Sequence, residues 1–205
     1  GVFTLLQGKS HAVGGALAQH PLIKAVAFTG SLSGGRSLFE LANARTEPIP
    51  VYAEMGSVNP VFFLPQVTAE SGLSLAAALA DSVTLGVGQF CTAPGLVLVI
   101  KGEATEAFLS ELEACLALKP PGVMLHAGIK SNFLNGLNKI LAVDGVKKRG
   151  SQAPLLPDCL VSASLLQTDA QTLLANPALA EEVFGPSAMI VVCESRSEML
   201  SVAAR

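Results

Sequence analysis

The run Leu96-Val97-Leu98-Val99-Ile100 constrains the fold of this chain more than any other stretch. It is apolar at every position and bounded by Gly95 and Lys101. A strand with one wet face alternates apolar and polar residues. A strand without alternation is covered on both faces, as in a parallel sheet with helices above and below it.

The segments around this run fit that architecture. Residues 10–20 read as a helix ending before His20-Pro21, followed by a β-rich run over 23–28 closed by Gly30. Ser33 is placed to cap the next helix, in which Leu38, Leu41 and Ala42 recur at spacings of three and four until Pro48 and Pro50 break it. Short strands are expected at 51–53 and 61–64. A long helix over 69–88 follows, with Leu75, Leu79, Val83 and Val87 along one stripe. Helices over 103–118 and 127–142 come next, then a polar, proline-containing stretch over 147–158. A strand near 160–165, a helix near 169–175 and a strand over 188–193 complete the pattern. Strands and helices alternate throughout, which predicts an α/β fold with a mostly parallel sheet. Glycine and proline concentrate over residues 46–60, where a domain junction is expected.

Composition narrows the function. Half of the 205 residues are hydrophobic and 14% are charged, against roughly 25% charged in an ordinary soluble domain. Such a chain must bury a large core, and it presents a sticky surface to partners. A net charge of −3, with Lys147-Lys148-Arg149 as an isolated basic cluster, gives no footprint for nucleic acid. The richest apolar stretch, Leu73–Gly88, carries Asp81 and several hydroxyls. It falls short of the roughly 18–20 apolar residues of a membrane span, so no membrane partner is expected. Cys91, Cys115, Cys159 and Cys193 are widely spaced, with no Cys-x-x-Cys and no histidine close by. A metal site is therefore not expected, and free thiols in a reducing cytoplasm are. The chain starts without Met and with no charged leader, and it stops inside an expected helix at Ser201–Arg205. It reads as an internal piece of something longer.

Four short motifs carry chemistry. Cys91 stands in Gly88-Gln89-Phe90-Cys91-Thr92, just past the long helix, where a thiol meets solvent or ligand more readily than inside a strand. Thiols are strong nucleophiles even though only a few per cent is thiolate at pH 7; a lone cysteine is otherwise a small buried hydrophobe. Cys115 and Cys193 lie in apolar periodic segments and read as core. Glu54 sits among Val51, Tyr52, Ala53 and Met55. Burial there would disfavour its charged form, which suits a general base; the alternative, and the commoner reading of the residue alone, is an ordinary strand-end glutamate facing water. Phe28-Thr29-Gly30-Ser31 follows a strand and precedes a helix, a place where backbone N–H groups and the helix dipole meet an anion such as pyrophosphate. The general Gly-x-Gly-x-x-Gly fingerprint is absent. Glu182 and Phe184 precede the turn Gly185-Pro186, and a carboxylate there suits ribose hydroxyls. His11, His20 and His126 have no partners at triad or metal spacing.

In this order and spacing the motifs resemble those of the aldehyde dehydrogenase superfamily over essentially the whole chain. The elements are Phe28-Thr29-Gly30-Ser31 with Gly35-Arg36, Glu54-Met55-Gly56, Gly88-Gln89-Phe90-Cys91 and Glu182-Val183-Phe184-Gly185-Pro186. The wording of Ile49–Pro60 and Gly88–Gly95 is similar to the branch of 2-oxoglutarate semialdehyde (2,5-dioxovalerate) dehydrogenases and related long-chain enzymes that favour NADP. The resemblance implies the C-terminal end of a Rossmann-like NAD(P)-binding domain over 1–54 and a truncated catalytic domain over 55–205. It implies Cys91 as nucleophile, with its backbone N–H stabilising the oxyanion, and Glu54 as the base that activates the deacylating water. Thr29, Gly30 and Ser31 would hold the pyrophosphate, Met55 and Gly56 would lie near the nicotinamide, and Glu182 with Phe184 would fix its ribose. Phe90 and Thr92 would line the aldehyde tunnel.

The implied cofactor is NADP or NAD, NADP favoured, and the implied parent protein is a homodimer or homotetramer acting on a small aldehyde. Many members carry Leu-Gly-Gly after the glutamate where this chain has Met55-Gly56-Ser57. Family chains are more than twice this long, so the isolated chain is expected to be a poor dehydrogenase or none. Two other readings compete: a cofactor-independent cysteine acyl-transferase or hydrolase, which would want a histidine base, and a non-catalytic assembly piece.

Overall fold

The computed structural model describes residues 2–8, 10–150 and 156–205. The chain divides into two compact units, Gly1–Gly56 and Ser57–Arg205.

The first unit runs α1 (Ala12–Gln19), β1 (Val26–Gly30), α2 (Leu32–Asn43) and β2 (Val51–Met55). The two strands pair in parallel, from Val26 opposite Val51 to Gly30 opposite Met55. β1 therefore lies two to three residues later than the expected 23–28, because pairing with β2 continues through Thr29 and Gly30. The cap of α2 also differs from expectation. Ser31, not Ser33, is the N-cap, and its Oγ accepts from the Gly34 N–H at 3.2 Å. Ser31 closes the strand in an extended conformation, which puts its hydroxyl within reach of the third helical amide. Arg45 donates to the carbonyls of Ala18 and Ile23, both at 3.1 Å, and ties the end of α1 to the segment that follows α2.

The second unit contains β3 (Pro60–Phe63), α3 (Pro65–Thr84), a 3-10 turn over Leu85–Gly88, β4 (Leu96–Ile100) and α4 (Glu103–Ala117). It continues with β5 (Gly122–Val123), α5 (Ala127–Leu141), β6 (Lys147–Arg149), β7 (Leu160–Val161), β8 (Ser164–Asp169) and α6 (Ala170–Ala175). A 3-10 turn over Pro177–Ala180, β9 (Ser187–Cys193) and α7 (Arg196–Ala203) close it. Five strands form one sheet in the order β3-β4-β9-β8-β6, parallel except for the antiparallel edge strand β6.

The apolar run of β4 behaves as its lack of alternation requires. Val97 and Val99 point into a cluster with Leu79 and Val83 of α3 and Phe108 and Leu112 of α4. Leu96 and Leu98 point the other way, into a cluster with Phe133 and Leu137 of α5 and Met199 of α7. Helices thus cover both faces of a mostly parallel sheet, and the α/β expectation holds.

The departures have local causes. α3 starts at Pro65, four residues before the expected 69, because proline's fixed φ and missing N–H suit the first helical position. It bends at Ser71, a Ser-Gly step of the kind that kinks helices. It ends at Thr84, since Gly86, Val87 and Gly88 all have positive φ (55°, 60° and 63°). With the following turn, Pro65–Gly88 is helical over 24 residues and, by length and composition alone, apolar enough to cross a membrane. No unbroken apolar run of that length marks it in the sequence. Its stripe of Ala76, Leu79, Ala80 and Val83 is buried in the sheet's core. The polar stretch 147–158 yields β6, which the sequence did not announce. There Arg149 reaches Glu113 (3.4 Å), Glu106 (3.6 Å) and Gln167 (2.7 Å). The strand expected at 160–165 splits, since β7 pairs with β5 and only β8 joins the main sheet.

Candidate active site

The left-handed turn after α3 builds the Cys91 loop. A β-branched residue in that region costs roughly 1–3 kcal/mol and persists only where packing holds it. Val87 is held against the core cluster and against Gly122, where an added Cβ would come within 2.6 Å of its Cγ2. Gly88 is fixed by contact as well as by φ. A Cβ there would collide with the backbone of Gly185 and Pro186, so glycine alone lets the Cys91 loop lie against the Glu182–Pro186 turn. Gln89 anchors the loop from its other side, accepting from the Leu125 N–H at 3.0 Å and donating to the Gly86 carbonyl at 3.1 Å.

The next four residues form a turn in which the Ala93 N–H donates to the Phe90 carbonyl at 3.0 Å. Cys91 and Thr92 occupy its two central positions, where neither amide is used by the turn's own bond. Both are exposed. Phe90, half exposed, lays its ring over Gly86. The Cys91 carbonyl accepts from the Ser57 hydroxyl and from the Asn59 carboxamide, the latter at 2.7 Å. The Ser57 N–H in turn donates to Glu182 Oε1 at 3.3 Å. Ser57, Gly88, Phe90, Glu182, Phe184 and Gly185 line one pocket beside the thiol loop. Within the second unit, then, the structure brings the cysteine motif and the acidic-turn motif together.

The other thiols have different surroundings. Burial pushes the Cys193 thiol up to about 11, and nearby Glu198 adds to the shift. Cys115 is raised by burial and by its contact with Glu111. Cys159 packs partly buried against the core. Among the described residues no group of His, Cys, Asp and Glu could hold a metal ion. His126 caps α5, its Nδ1 accepting from Gly128 and Ile129.

In the first unit, Thr29, Gly30 and Ser31 lie exposed at the end of β1 and the start of α2. Ser31 Oγ occupies the Gly34 amide, and the Ser31 carbonyl accepts from Gly35 at 3.0 Å. The earliest amides of the helix have no partner within the helix by construction, which is the donor set an anion requires. The turn is also built for close approach: a Cβ on Gly30 would come within 2.6 Å of the Phe28 ring, and one on Gly35 would collide with Met55. The Gly56 N–H closes the arrangement on the Gly30 carbonyl at 3.3 Å. These residues fit the pyrophosphate of a dinucleotide.

Glu54, opposite Thr29 on β2, is exposed. Of the two settings the sequence leaves open for it, the water-facing one is found, because alternate residues of the short strand face outward. Ser57, Asn59 and Gln89 join the site through contacts that their place in the sequence does not announce. One signal was available for Asn59, which precedes Pro60 and takes a positive φ of 47° that asparagine tolerates better than most residues.

The aldehyde dehydrogenase family profile matches residues 1–124. The chain is 47% identical over 202 residues to alpha-ketoglutaric semialdehyde dehydrogenase 2 of Azospirillum brasilense. It is 39% identical over 203 residues to alpha-ketoglutaric semialdehyde dehydrogenase of Acinetobacter baylyi. Each match covers 98% of this chain and 38% of the relative, so the chain spans under half the length of either. The fold is that of an NAD-dependent benzaldehyde dehydrogenase from Corynebacterium glutamicum, with a TM-score of 0.75 at 21% identity over 95% of this chain and 42% of that one. On the family match, which covers more than half of its residues, the chain belongs to the aldehyde dehydrogenase family.

Proposed function

We propose that the protein containing this chain oxidises an aldehyde to a carboxylate with NAD(P), through a covalent intermediate on Cys91. The observation that carries this reading is the Cys91 turn: an exposed thiol at its centre, beside a pocket lined by Glu182 and Phe184. Cys91 Sγ adds to the aldehyde carbon, and the Cys91 N–H stabilises the oxyanion that results. A bound nicotinamide would supply the hydride acceptor that oxidation of this Cys91 adduct to a thioester requires. Glu54 then accepts a proton from the water that attacks the thioester, and the thiolate leaves.

Thr29, Gly30, Ser31 and the start of α2 would hold the pyrophosphate. Met55 and Gly56 would border the nicotinamide, and Glu182 with Phe184 would hold its ribose. Phe90 and Thr92 would line the approach of the aldehyde. A semialdehyde such as 2-oxoglutarate semialdehyde is the proposed substrate, supported by the names of the two relatives at 47% and 39% identity. NADP in preference to NAD rests on the wording of Ile49–Pro60 and Gly88–Gly95. A cytoplasmic homodimer or homotetramer is the proposed setting, and the isolated 205 residues are proposed to be inactive in oxidation.

Peptide mass spectrometry after brief exposure to an activated ester at pH 7.5 tests the roles without cofactor. Acyl label is expected on Cys91, and Glu54→Gln is expected to prolong its lifetime. Label spread equally over all four thiols, or absent from Cys91, removes the proposal.

A further inference from the structure

We infer that Ser57 and Asn59 are positioning residues that set the direction of the Cys91 thiol and link its loop to Glu182. The inference rests on the reading of Cys91 as nucleophile. A carbonyl oxygen has two lone pairs, and the Cys91 carbonyl spends both on one short segment, accepting from Ser57 Oγ and from Asn59 Nδ2 at 2.7 Å. Asn59 Nδ2 also donates to the Ala93 carbonyl at 3.1 Å, on the residue that closes the turn. The Gly95 N–H donates to the Val58 carbonyl at 2.7 Å. Three consecutive residues are thus bonded to the nucleophile's own carbonyl and to the backbone that follows it.

The geometric consequence follows from the peptide plane. The bond between the Ala93 N–H and the Phe90 carbonyl restrains the backbone around Cys91 from the turn itself. Two donors on the Cys91 carbonyl then fix the plane that follows it. With the planes around its Cα restrained, Cys91 can swing its Sγ only by rotating χ1. The left-handed backbone of Asn59 (φ 47°) turns its carboxamide onto these carbonyls. Ser57 has a second contact through its N–H, on Glu182 Oε1 at 3.3 Å. One residue therefore joins the thiol loop to the carboxylate proposed to hold the ribose. Neither side chain belongs to the hydrophobic core, so removing either one alters the presentation of the thiol more than it alters folding.

The test measures Cys91 acylation by p-nitrophenyl acetate in the full-length protein without cofactor, as a saturable rate with the labelled peptide identified. Ser57→Ala removes the hydroxyl and Ser57→Thr keeps it. Asn59→Gly removes the carboxamide while retaining access to positive φ. Losing one bond to the Cys91 carbonyl in Ser57→Ala, and that bond together with the one to Ala93 in Asn59→Gly, is expected to lower the limiting acylation rate about tenfold or more. The half-saturating ester concentration and the thermal midpoint should stay near those of the unsubstituted protein, and Ser57→Thr should restore most of the rate. Unchanged limiting rates in both deletion variants, with Cys91 still the labelled residue, overturn this inference and leave the proposed function standing. A Ser57→Thr rate as low as that of Ser57→Ala also overturns it. An unsubstituted protein that takes no label on Cys91 removes both.

Discussion

The two units bury their apolar residues very differently. In Ser57–Arg205 the central strand has Val97, Leu98 and Val99 at 0% exposure, and each sheet face carries its own cluster of helix residues. Among the described residues of Gly1–Gly56 none in the two strands is buried, and only small or isolated side chains such as Ala18, Ala42 and Ile49 are. Phe3, Leu5, Leu22, Leu32, Phe39 and Tyr52 are exposed. A two-stranded sheet is marginal by itself, and stability follows the apolar area taken from water. The thiol loop therefore stands on a unit with its own core. Within these 205 residues, the phosphate turn stands on one held by local devices: the Ser31 cap, the Arg45 bonds and strand register.

The strongest way to break this contrast is a pair of matched truncations. Phe108 is wholly buried and stacks at 4.8 Å on Phe63, so Phe108→Ala should cost roughly 3–5 kcal/mol. Phe39 is 43% exposed, with the Arg36 guanidinium 5.4 Å above its ring, and Phe39→Ala should cost under about 1 kcal/mol. Chemical denaturation followed by circular dichroism gives both values. A Phe39 cost equal to that of Phe108 would mean that the first unit has a core of its own and that the contrast is false.

The same contrast explains what could be read in advance. β4 was legible because burial on both faces leaves a run with no alternation, a signal carried by the residues themselves. The long helix was legible by its stripe, but its ends were not. Pro65 at the start and the left-handed Gly86-Val87-Gly88 at the end are set by backbone geometry rather than by hydrophobic period. β6 escaped notice because it is a three-residue edge strand made of Lys147, Lys148 and Arg149, held by pairing with β8 and by the carboxylates of α4. Cys91 and Glu182 stood out as chemistry inside motifs. Ser57 and Asn59 did not, because their contacts with the Cys91 carbonyl cross 34 and 32 residues of chain and exist only once the strands are paired. Glu54 faces water, the commoner of its two sequence readings, since apolar neighbours along a strand alternate sides and do not surround it.

A second test of the packed unit uses alkali. Burial holds the Cys193 thiol at about 11 against an ordinary 9.0, so the folded state keeps a proton that the unfolded chain gives up. Stability from this group is fully present below pH 9 and is lost as pH rises towards 11, an effect of roughly 2–3 kcal/mol. Cys193→Ala should flatten the urea midpoint between pH 8.5 and 10.5. An identical slope in the variant would assign the alkaline loss to other groups. It would also weaken the claim that this cluster is dry at the end of β9.

The finest test concerns Ser31, where stability and binding share one hydroxyl. Ser31→Ala removes the bond to the Gly34 amide and should cost about 1 kcal/mol, seen as faster amide exchange in the first turn of α2. Ser31→Asp supplies an equally good cap and a charge that favours the helix N-terminus, so exchange there should stay slow. The same carboxylate stands where the phosphate of a dinucleotide is proposed to bind, and it should weaken NADPH binding in the full-length protein by about tenfold or more. A simple cap predicts that binding follows exchange across the two variants. An anion site predicts that they part company, with Ser31→Asp ordered yet poor at binding. If Ser31→Asp binds as well as the unsubstituted protein, the start of α2 does not hold the pyrophosphate and the first unit loses its proposed role.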